Sequence, residues 1–442
     1  RKVKSKHDDK YVRFHGIFLD EVGLYDEDKD GKPIYNFSYI DQIYDGLLDN
    51  GVRPFVELSF MPKKLGQSHP IVHSFWYKPL VGPPKDWSKW GELNYQFVKH
   101  LVERYGIDEV SKWYFEVWNE PDLDFWGGKP KPASYYKLYE IAARAIKRAD
   151  SRLQVGGPST ATQAWMEGFI EHCSQENIPL DFVSTHNYAN EENEEAYKTK
   201  PAPRSDVTAL NVEKIYKIVK ASKQPNLPIF WSEYGPSYLN EVNVTDSPFV
   251  GPWLANNIRQ CDGLTSGMSF WTFSDVFEEN CIVQKPFYGG FGIIAAGGIP
   301  KASFNAFKIL HLLGEERIPI KSTSAIATKT KNGGTVLAVW NYAAAETEWH
   351  PGKKKTIKLQ IAGLTGAKQA RIHLVDREHG SALTAWEKMG KPDFPSREQQ
   401  AQLRLAAELP AAQIVQLVPE QGVQTLKLDL EPQALAVIEI MN

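Results

Sequence analysis

The sequence lacks the features that mark several protein classes. It has no run of about 18 consecutive apolar residues, the length that a membrane-spanning helix needs. Its 3 cysteines are widely spaced without a CxxC pair, so we expect buried thiols, not disulfides or a metal site. No GxGxxG or P-loop follows a predicted strand, and the histidines lack HExxH spacing. We therefore expect no nucleotide cofactor and no metal.

Charge is nearly balanced, with 51 basic residues against 54 acidic residues and a net charge of −3. This balance argues against nucleic acid or an anionic membrane surface as the main partner. The opening segment, RKVKSKHDDK, shows no signal-peptide pattern and is followed at once by a predicted strand. We expect that the natural N-terminus lies outside this sequence, so the compartment is not predicted.

Short apolar segments alternate with longer amphipathic segments from Tyr11 to about Gly314. Seven strands are predicted, in YVRFHGIFLD, VRPFVELSF, WYFEVWNE, LQVGGPST, DFVSTHNYA, PIFWSEYGPS and GMSFWTFSD. Helices are predicted between them in FSYIDQIYDGLLDNG, Trp87–Tyr105, ASYYKLYEIAARAIKRAD, Ala161–Asn177, Leu210–Lys223 and Val250–Cys261, and after them in KASFNAFKILHLLG. Strands that alternate with helices form parallel βαβ units.

Polar or aromatic functional side chains stand near the carboxyl ends of most of these strands. They are His15, Glu57, Asn119, Glu120, His186, Glu233 and Trp271. An open doubly wound sheet gathers ligand groups near one switch point, whereas a barrel turns every strand end toward one mouth. The sequence therefore predicts a (β/α)8 TIM barrel in residues 1–316. Because only seven strands are found, we expect the first strand to be missing and to precede Tyr11.

After about Arg317 the pattern changes to β alternation, in GTVLAVWNYA, KKTIKLQIAG, QARIHLVD, QTLKLDLEP and ALAVIEIMN. One helix is predicted from Ser396 to Glu408. Residues 317–442 are therefore predicted to form an accessory β-sandwich domain that packs on the barrel.

Two glutamates, Glu120 and Glu233, end apolar strands beside aromatic and polar residues. Glycoside hydrolysis needs a carboxylic acid that protonates the leaving oxygen and a second, ionised carboxylate that acts as nucleophile or base. A lone glutamate is more often structural or solvated, but two at the ends of barrel strands favour this chemistry. A sugar-binding module without activity would be expected to have lost one of them.

Two stretches, FEVWNEPDLDFW and IFWSEYGPSY, resemble the catalytic strands of the large clan of retaining glycosidases with a (β/α)8 barrel. More narrowly, the chain resembles glycoside hydrolase family thirty-nine, the β-xylosidases related to α-L-iduronidase. The supporting stretches are YVRFHGIF, GVRPFVELSFMPKKL, PPKDWSKW, DFVSTHNY, FWTFSDVFEE, GGFGIIA and MGKPDFPSREQ. The resemblance implies a retaining exo-glycosidase that releases β-1,4-linked xylose from xylo-oligosaccharides. An α-L-iduronidase-like or arabinosidase-like enzyme on the same scaffold is the alternative.

The resemblance also implies roles for single residues. Glu120 corresponds to the acid/base, Glu233 to the nucleophile, and Asn119 to the amide that binds the sugar 2-hydroxyl, although Asn119 could also be a simple turn residue. The other implied substrate-binding residues are His15, Phe125, His186, Tyr188, Trp271, Glu278 and Glu279. Alternatively, His15 and His186 could be structural histidines of the core, and Glu278 and Glu279 could belong to a solvated acidic loop.

The chain departs from the family pattern near the glycone site. Thr185-His186-Asn187-Tyr188 replaces a common Arg-His-Ala-Tyr, and Glu233-Tyr234-Gly235-Pro236-Ser237 replaces a common Glu-Tyr-Asn-Thr-Ser. The departures leave both glutamates in place, so they bear on the identity of the sugar more than on the reaction.

Overall fold

Strands and helices alternate along the first part of the chain in the computed structural model, which describes residues 10–69, 75–190, 202–276, 282–345, 352–364 and 369–441. The elements are β1 (Lys10–Val12), β2 (Tyr25–Glu27), β3 (Pro33–Tyr35), α1 (Ser38–Asp49), β4 (Val52–Leu58), α2 (Trp87–Tyr105), α3 (Ile107–Val110), β5 (Tyr114–Val117), α4 (Lys131–Ala149), β6 (Gln154–Thr160), α5 (Met166–Gln175), β7 (Phe182–Tyr188), α6 (Arg204–Ala221), β8 (Ile229–Gly235), α7 (Val242–Thr245), α8 (Val250–Cys261), β9 (Gly267–Phe270), β10 (Ile294–Ala295), β11 (Ile299–Pro300) and α9 (Ala302–Leu310). All seven predicted barrel strands are present in the predicted order.

The seven strands form one parallel sheet in the order β1-β4-β5-β6-β7-β8-β9, which curls into a nearly closed barrel. Aromatic side chains from non-adjacent strands meet inside it. The ring centroids of Phe55 on β4 and Phe230 on β8 lie 5.5 Å apart, and those of Tyr114 on β5 and Phe182 on β7 lie 5.3 Å apart. Phe55 and Phe230 belong to strands separated by three others, so their contact requires closure. The predicted barrel is confirmed, and within the described residues β1 and β9 are not paired with each other.

Local signals account for the helix bounds. The predicted helix Trp87–Tyr105 is confirmed because Asp86 caps its first turn, accepting hydrogen bonds from the amides of Ser88 and Lys89, and Gly106 ends it with a φ of 78°. The first strand is shorter than predicted. It ends at Val12, and Gly16 turns the chain with a φ of 84°, so His15 lies on a loop.

The C-terminal region consists mainly of antiparallel strands. Its elements are β12 (Glu316–Ile318), β13 (Ala325–Lys329), β14 (Thr335–Trp340), β15 (Lys355–Ile361), β16 (Gln369–Val375), α10 (Leu383–Lys388), α11 (Arg397–Ala406), β17 (Gln413–Gln416), β18 (Val418–Glu420), β19 (Val423–Leu430) and β20 (Leu435–Met441). A six-stranded sheet, β12-β13-β14-β20-β16-β17, packs on a three-stranded sheet, β15-β19-β18, through a shared apolar core. The predicted β-sandwich is confirmed. The predicted helix from Ser396 is α11, which Ser396 caps, whereas α10 was not predicted.

Helices α8 and α9 of the barrel pack against the six-stranded sheet. Trp253, Leu254 and Ile309 from the helices share one buried apolar cluster with Trp340 and Val437 from the sheet. The sandwich therefore lies on the side of the barrel that carries β9 and the last helices. The boundary at residues 316 and 317 stays a prediction. Within the described residues, none of the helices has the length and apolar character that crossing a bilayer requires.

Candidate active site

Glu120 is held by an unusual backbone conformation at the end of β5. After Val117 the chain adopts a φ of 76° at Trp118 and of 44° at Glu120, values that are uncommon for residues other than glycine. Two hydrogen bonds fix this turn. The Trp118 indole donates to the carbonyl of Phe125 at 2.8 Å, and the Glu120 amide donates to the carbonyl of Ser159 at 2.8 Å. Positive φ values at residues other than glycine strain the backbone. This strain persists only where the surrounding structure enforces it, and it is typical of functional sites.

Glu233 lies on β8, at the same end of the barrel, and is 4% exposed. Its Oε1 accepts a hydrogen bond from Nη1 of Arg13 at 2.7 Å, and its Oε2 accepts one from the hydroxyl of Tyr188 at 2.8 Å. Both oxygens are therefore held in fixed directions. The carboxylate is positioned by one cation and one neutral donor.

The two glutamates lie close together, with His186 between them. One carboxylate oxygen of each glutamate and a ring nitrogen of His186 all lie within 4.8 Å of one another. His186 Nδ1 is 2.8 Å from Glu120 Oε1 and 3.6 Å from Glu233 Oε2. Retaining glycosidases hold their carboxyl groups about 5–5.5 Å apart, and inverting enzymes about 6.5–9.5 Å apart. One oxygen of each carboxyl group therefore lies within 4.8 Å of the other, which favours a retaining pair over an inverting pair.

The surroundings shift the pKa values of the two carboxyl groups in opposite directions. Burial opposes ionisation of Glu233, but the charges of His186, Arg13 and His15 outweigh it and lower the pKa of Glu233 to about 2. Burial dominates at Glu120 and, with the nearby charge of Glu233, raises the pKa of Glu120 despite its contact with His186. One group is thus ionised and the other retains its proton to higher pH, which is the division of roles that paired carboxylates need.

Arg13 was missed by the sequence analysis. Its guanidinium, 1% exposed, contacts three carboxylates: Glu116 at 2.6 Å, Glu233 at 2.7 Å and Glu57 at 2.8 Å. A further N–H donates to Oδ1 of Asn119 at 2.8 Å. The sequence did contain a pattern that could have indicated Arg13. The arginine stands two residues before His15, and two apolar strands carry the glutamates Glu57 and Glu116. Charges at alternate positions of buried strands have to be paired inside the barrel.

Replacing Arg13 by Met is expected to lower the free energy of unfolding by about 3–5 kcal/mol, because it leaves buried carboxylates without their cation. The matched control is Arg53→Met, because Arg53 pairs with Glu109 at 2.6 Å but its side chain is 22% exposed. The control should lose clearly less, because a partly exposed pair keeps part of its hydration when one partner is removed. Urea unfolding at neutral pH measures both. Equal losses would contradict the claim that Arg13 neutralises a buried anionic cluster.

Other predicted substrate-binding residues lie beside the same carboxylates. His15 Nδ1 is 2.7 Å from Glu57 Oε2, and its ring centroid lies 4.7 Å from that of Trp271. Tyr188 and Trp271 share a small buried cluster with Phe291. We call Tyr188, Trp271 and Phe291 the pocket wall.

Asn119 and Phe125 complete the described part of the site. The Asn119 amide nitrogen is buried and has no hydrogen-bond partner among the described residues. Phe125 stacks on Phe60 at a centroid distance of 5.9 Å and faces His15 at 6.4 Å. The predicted contacts of Glu278 and Glu279 lie outside the described residues. The roles of all these residues stay predictions.

The site offers one set of metal donors among the described residues, Glu120, His186 and Glu233. Both oxygens of Glu233 already accept hydrogen bonds from Arg13 and Tyr188. The positive charge of Arg13 beside Glu233 would repel a cation. The donor set therefore fits acid–base chemistry better than metal binding.

Comparison with known proteins agrees with this geometry. The family model for glycosyl hydrolases family 39 matches residues 1–425. The chain belongs to this family. It is therefore a glycoside hydrolase. A β-xylosidase of Geobacillus stearothermophilus is 37% identical over 99% of this chain and 87% of that protein, and one of Caldicellulosiruptor saccharolyticus is 34% identical over 100% of this chain and 91% of that protein.

Structural comparison supports the same assignment. A monomeric β-xylosidase from Caulobacter crescentus superimposes with a TM-score of 0.87 at 31% identity, covering 98% of this chain and 89% of that one. Human α-L-iduronidase is more distant, at 23% identity over 92% of this chain and 66% of that protein. The iduronidase-like alternative thus rests on a remote similarity.

Proposed function

We propose that this protein is a retaining exo-β-xylosidase that releases β-1,4-linked xylose from xylo-oligosaccharides through a covalent glycosyl-enzyme. The observation that carries the proposal is the pair Glu120 and Glu233: one oxygen of each lies within 4.8 Å of the other, and their pKa values are shifted in opposite directions. The substrate class is supported by the two β-xylosidases that align with 99% and 100% of this chain.

In the first step, Glu233 attacks the anomeric carbon while Glu120 gives its proton to the leaving oxygen. The bond from C1 to the leaving group breaks and an ester forms between C1 and Glu233. The charges of Arg13 and His186 keep Glu233 ionised before attack. The unpaired amide of Asn119 is suited to bind the 2-hydroxyl, a contact that strengthens in the transition state.

In the second step, Glu120 acts as a base toward water. Formation of the ester removes the charge of Glu233, and with it one of the interactions that raise the pKa of Glu120. Glu120 then takes a proton from the attacking water, and the C1 ester breaks to restore Glu233. His186, which contacts both groups, is a positioning residue in both steps.

A panel of aryl glycosides tests the substrate class. We expect turnover of the β-xyloside to exceed that of the β-glucoside by at least about tenfold, because a pocket shaped for xylose has no room for the extra hydroxymethyl at C5. The matched comparison uses the same leaving group on every sugar. Equal rates on both sugars would refute the β-xylosidase proposal. Preference for an α-L-iduronide or an arabinofuranoside would favour the alternative activities.

A further inference from the structure

A second charged cluster lies behind the pocket wall and takes no part in the proposed chemistry. Lys301 Nζ is 2.6 Å from Oδ1 of Asp246 and 2.7 Å from Oδ2 of Asp275, and all three side chains are 0% exposed. The same ammonium group donates to the carbonyl of Gly290 at 2.8 Å. We call Asp246, Asp275 and Lys301 the lysine cluster.

The second oxygen of each aspartate holds a glycine-rich segment, residues 289–292. Asp246 Oδ2 accepts a hydrogen bond from the Gly289 amide at 2.6 Å, and Asp275 Oδ1 accepts one from the Gly292 amide at 2.7 Å. The approach is too close for a side chain, because a Cβ on Gly292 would lie 2.3 Å from the Asp275 amide nitrogen. This close approach explains the last glycine of the sequence motif GGFG, which the proposed chemistry does not use.

The segment carries part of the pocket wall. Its backbone pairs with the residues that follow β9: the Thr272 amide donates to the Phe291 carbonyl at 3.0 Å, and the Ile293 amide donates to the Thr272 carbonyl at 2.9 Å. Phe291 packs with Trp271 and Tyr188. Tyr188 in turn donates to Glu233 at 2.8 Å. The lysine cluster is therefore joined to the site by a short series of direct contacts.

The cluster is also anchored on its far side. Lys301 immediately precedes α9, which packs against the sandwich sheet through Ile309. On the same helix, the buried amide of Asn305 donates to the carbonyls of Gly380 at 2.9 Å and Ala407 at 2.6 Å. The accessory domain thus contacts the helix that directly follows Lys301, whose side chain binds the glycine-rich segment.

We propose that Asp246, Asp275 and Lys301 are positioning residues that hold Phe291 and Trp271 in place to bind the glycone. A buried ion cluster is weak evidence for stability alone, because the loss of hydration offsets the attraction. Here each charged group also binds the backbone of residues 289–292. We therefore infer that the main effect of the cluster is to fix the position of that segment. The inference rests on the proposed function only in taking the pocket wall as the sugar-binding surface.

The test compares Asp275→Asn with Asp262→Asn. Asparagine keeps an oxygen for the Gly292 amide but removes the charge that pairs with Lys301, so it is milder than Lys301→Met, which leaves two buried carboxylates without a cation. The control, Asp262, pairs with Arg317 at 2.8 Å and is 28% exposed, outside the cluster. Both proteins are assayed on the glycoside that the wild type cleaves fastest in the panel, so failure of the xyloside assignment does not affect the comparison.

We expect Asp275→Asn to raise KM roughly tenfold while kcat changes less than about threefold, because the wall binds ground state and transition state alike. Hydrogen exchange should become faster in the amides of residues 289–293, and the control should change neither quantity. Lys301→Met, if it folds, should show the larger KM effect. A lower melting temperature with unchanged KM would overturn the proposal, as would a raised KM without faster exchange in that segment. Neither outcome would contradict the proposed roles of Glu120 and Glu233.

Discussion

Glu233→Ala should lose activity by roughly 10⁴-fold or more on every glycoside, because it removes the proposed nucleophile that forms the covalent intermediate. The loss should be similar for aryl xylosides with good and with poor leaving groups. Added azide can occupy the space of the missing carboxylate and displace an activated leaving group directly. That reaction inverts the anomeric centre, so the expected product is α-xylosyl azide, identified by NMR.

The matched control for this variant is Glu241→Ala. Glu241 follows β8 on the same segment of chain, but its carboxylate pairs with Arg204 at 3.1 Å. Its loss should leave kcat within a few-fold of the wild type, since the described partner of its carboxylate is Arg204 and not a group of the site. If Glu233→Ala kept more than about one per cent of the activity, Glu233 would not be the nucleophile.

Glu120→Ala should behave differently, because an acid matters most when the leaving group is poor. With a poor leaving group we expect a loss of about 10²–10⁴-fold in kcat/KM. An activated aryl xyloside leaves without a proton and should still form the glycosyl-enzyme. Breakdown of that intermediate lacks its base, so kcat should fall and KM should fall with it. Steady-state kinetics on a series of aryl xylosides measures the difference.

Azide separates the two variants on a single substrate. It needs no general base, so it should restore turnover of Glu120→Ala and give β-xylosyl azide, the product of two inversions. Formation of the same azide anomer by both variants would contradict the assignment of roles. So would an equal loss by Glu120→Ala on good and poor leaving groups.

The sequence predicted the order of the barrel elements and the location of both glutamates, because these depend on local signals. Apolar alternation marks the seven strands, and the Asp86 cap and Gly106 define α2. Glu120 follows a buried strand and Glu233 lies near the end of another, where an ionised carboxylate is costly unless it is paired. The resemblance to family thirty-nine then gave the roles, and family membership is confirmed over residues 1–425.

What the sequence did not predict depends on contacts between distant segments. Arg13 meets Glu57, Glu116 and Glu233 only when the barrel closes, across separations of up to 220 residues. The bridging position of His186 has the same origin, since β7 must lie beside β8 with a register shift between Thr185 and His186. The lysine cluster joins three loops. Pattern and propensity report on neighbours in the chain, and none of these contacts is local.

Glu120 and Glu233 are proposed to hydrolyse the glycoside with retention of configuration at the anomeric carbon. The most direct test is ¹H NMR of the first-formed sugar, recorded during hydrolysis of an aryl β-xyloside by the wild-type protein, before mutarotation. One oxygen of Glu120 lies within 4.8 Å of one oxygen of Glu233, which favours the covalent mechanism, so we expect β-xylose to form first and the α anomer to appear only later. Initial release of α-xylose would show a single displacement by water and would contradict the covalent mechanism.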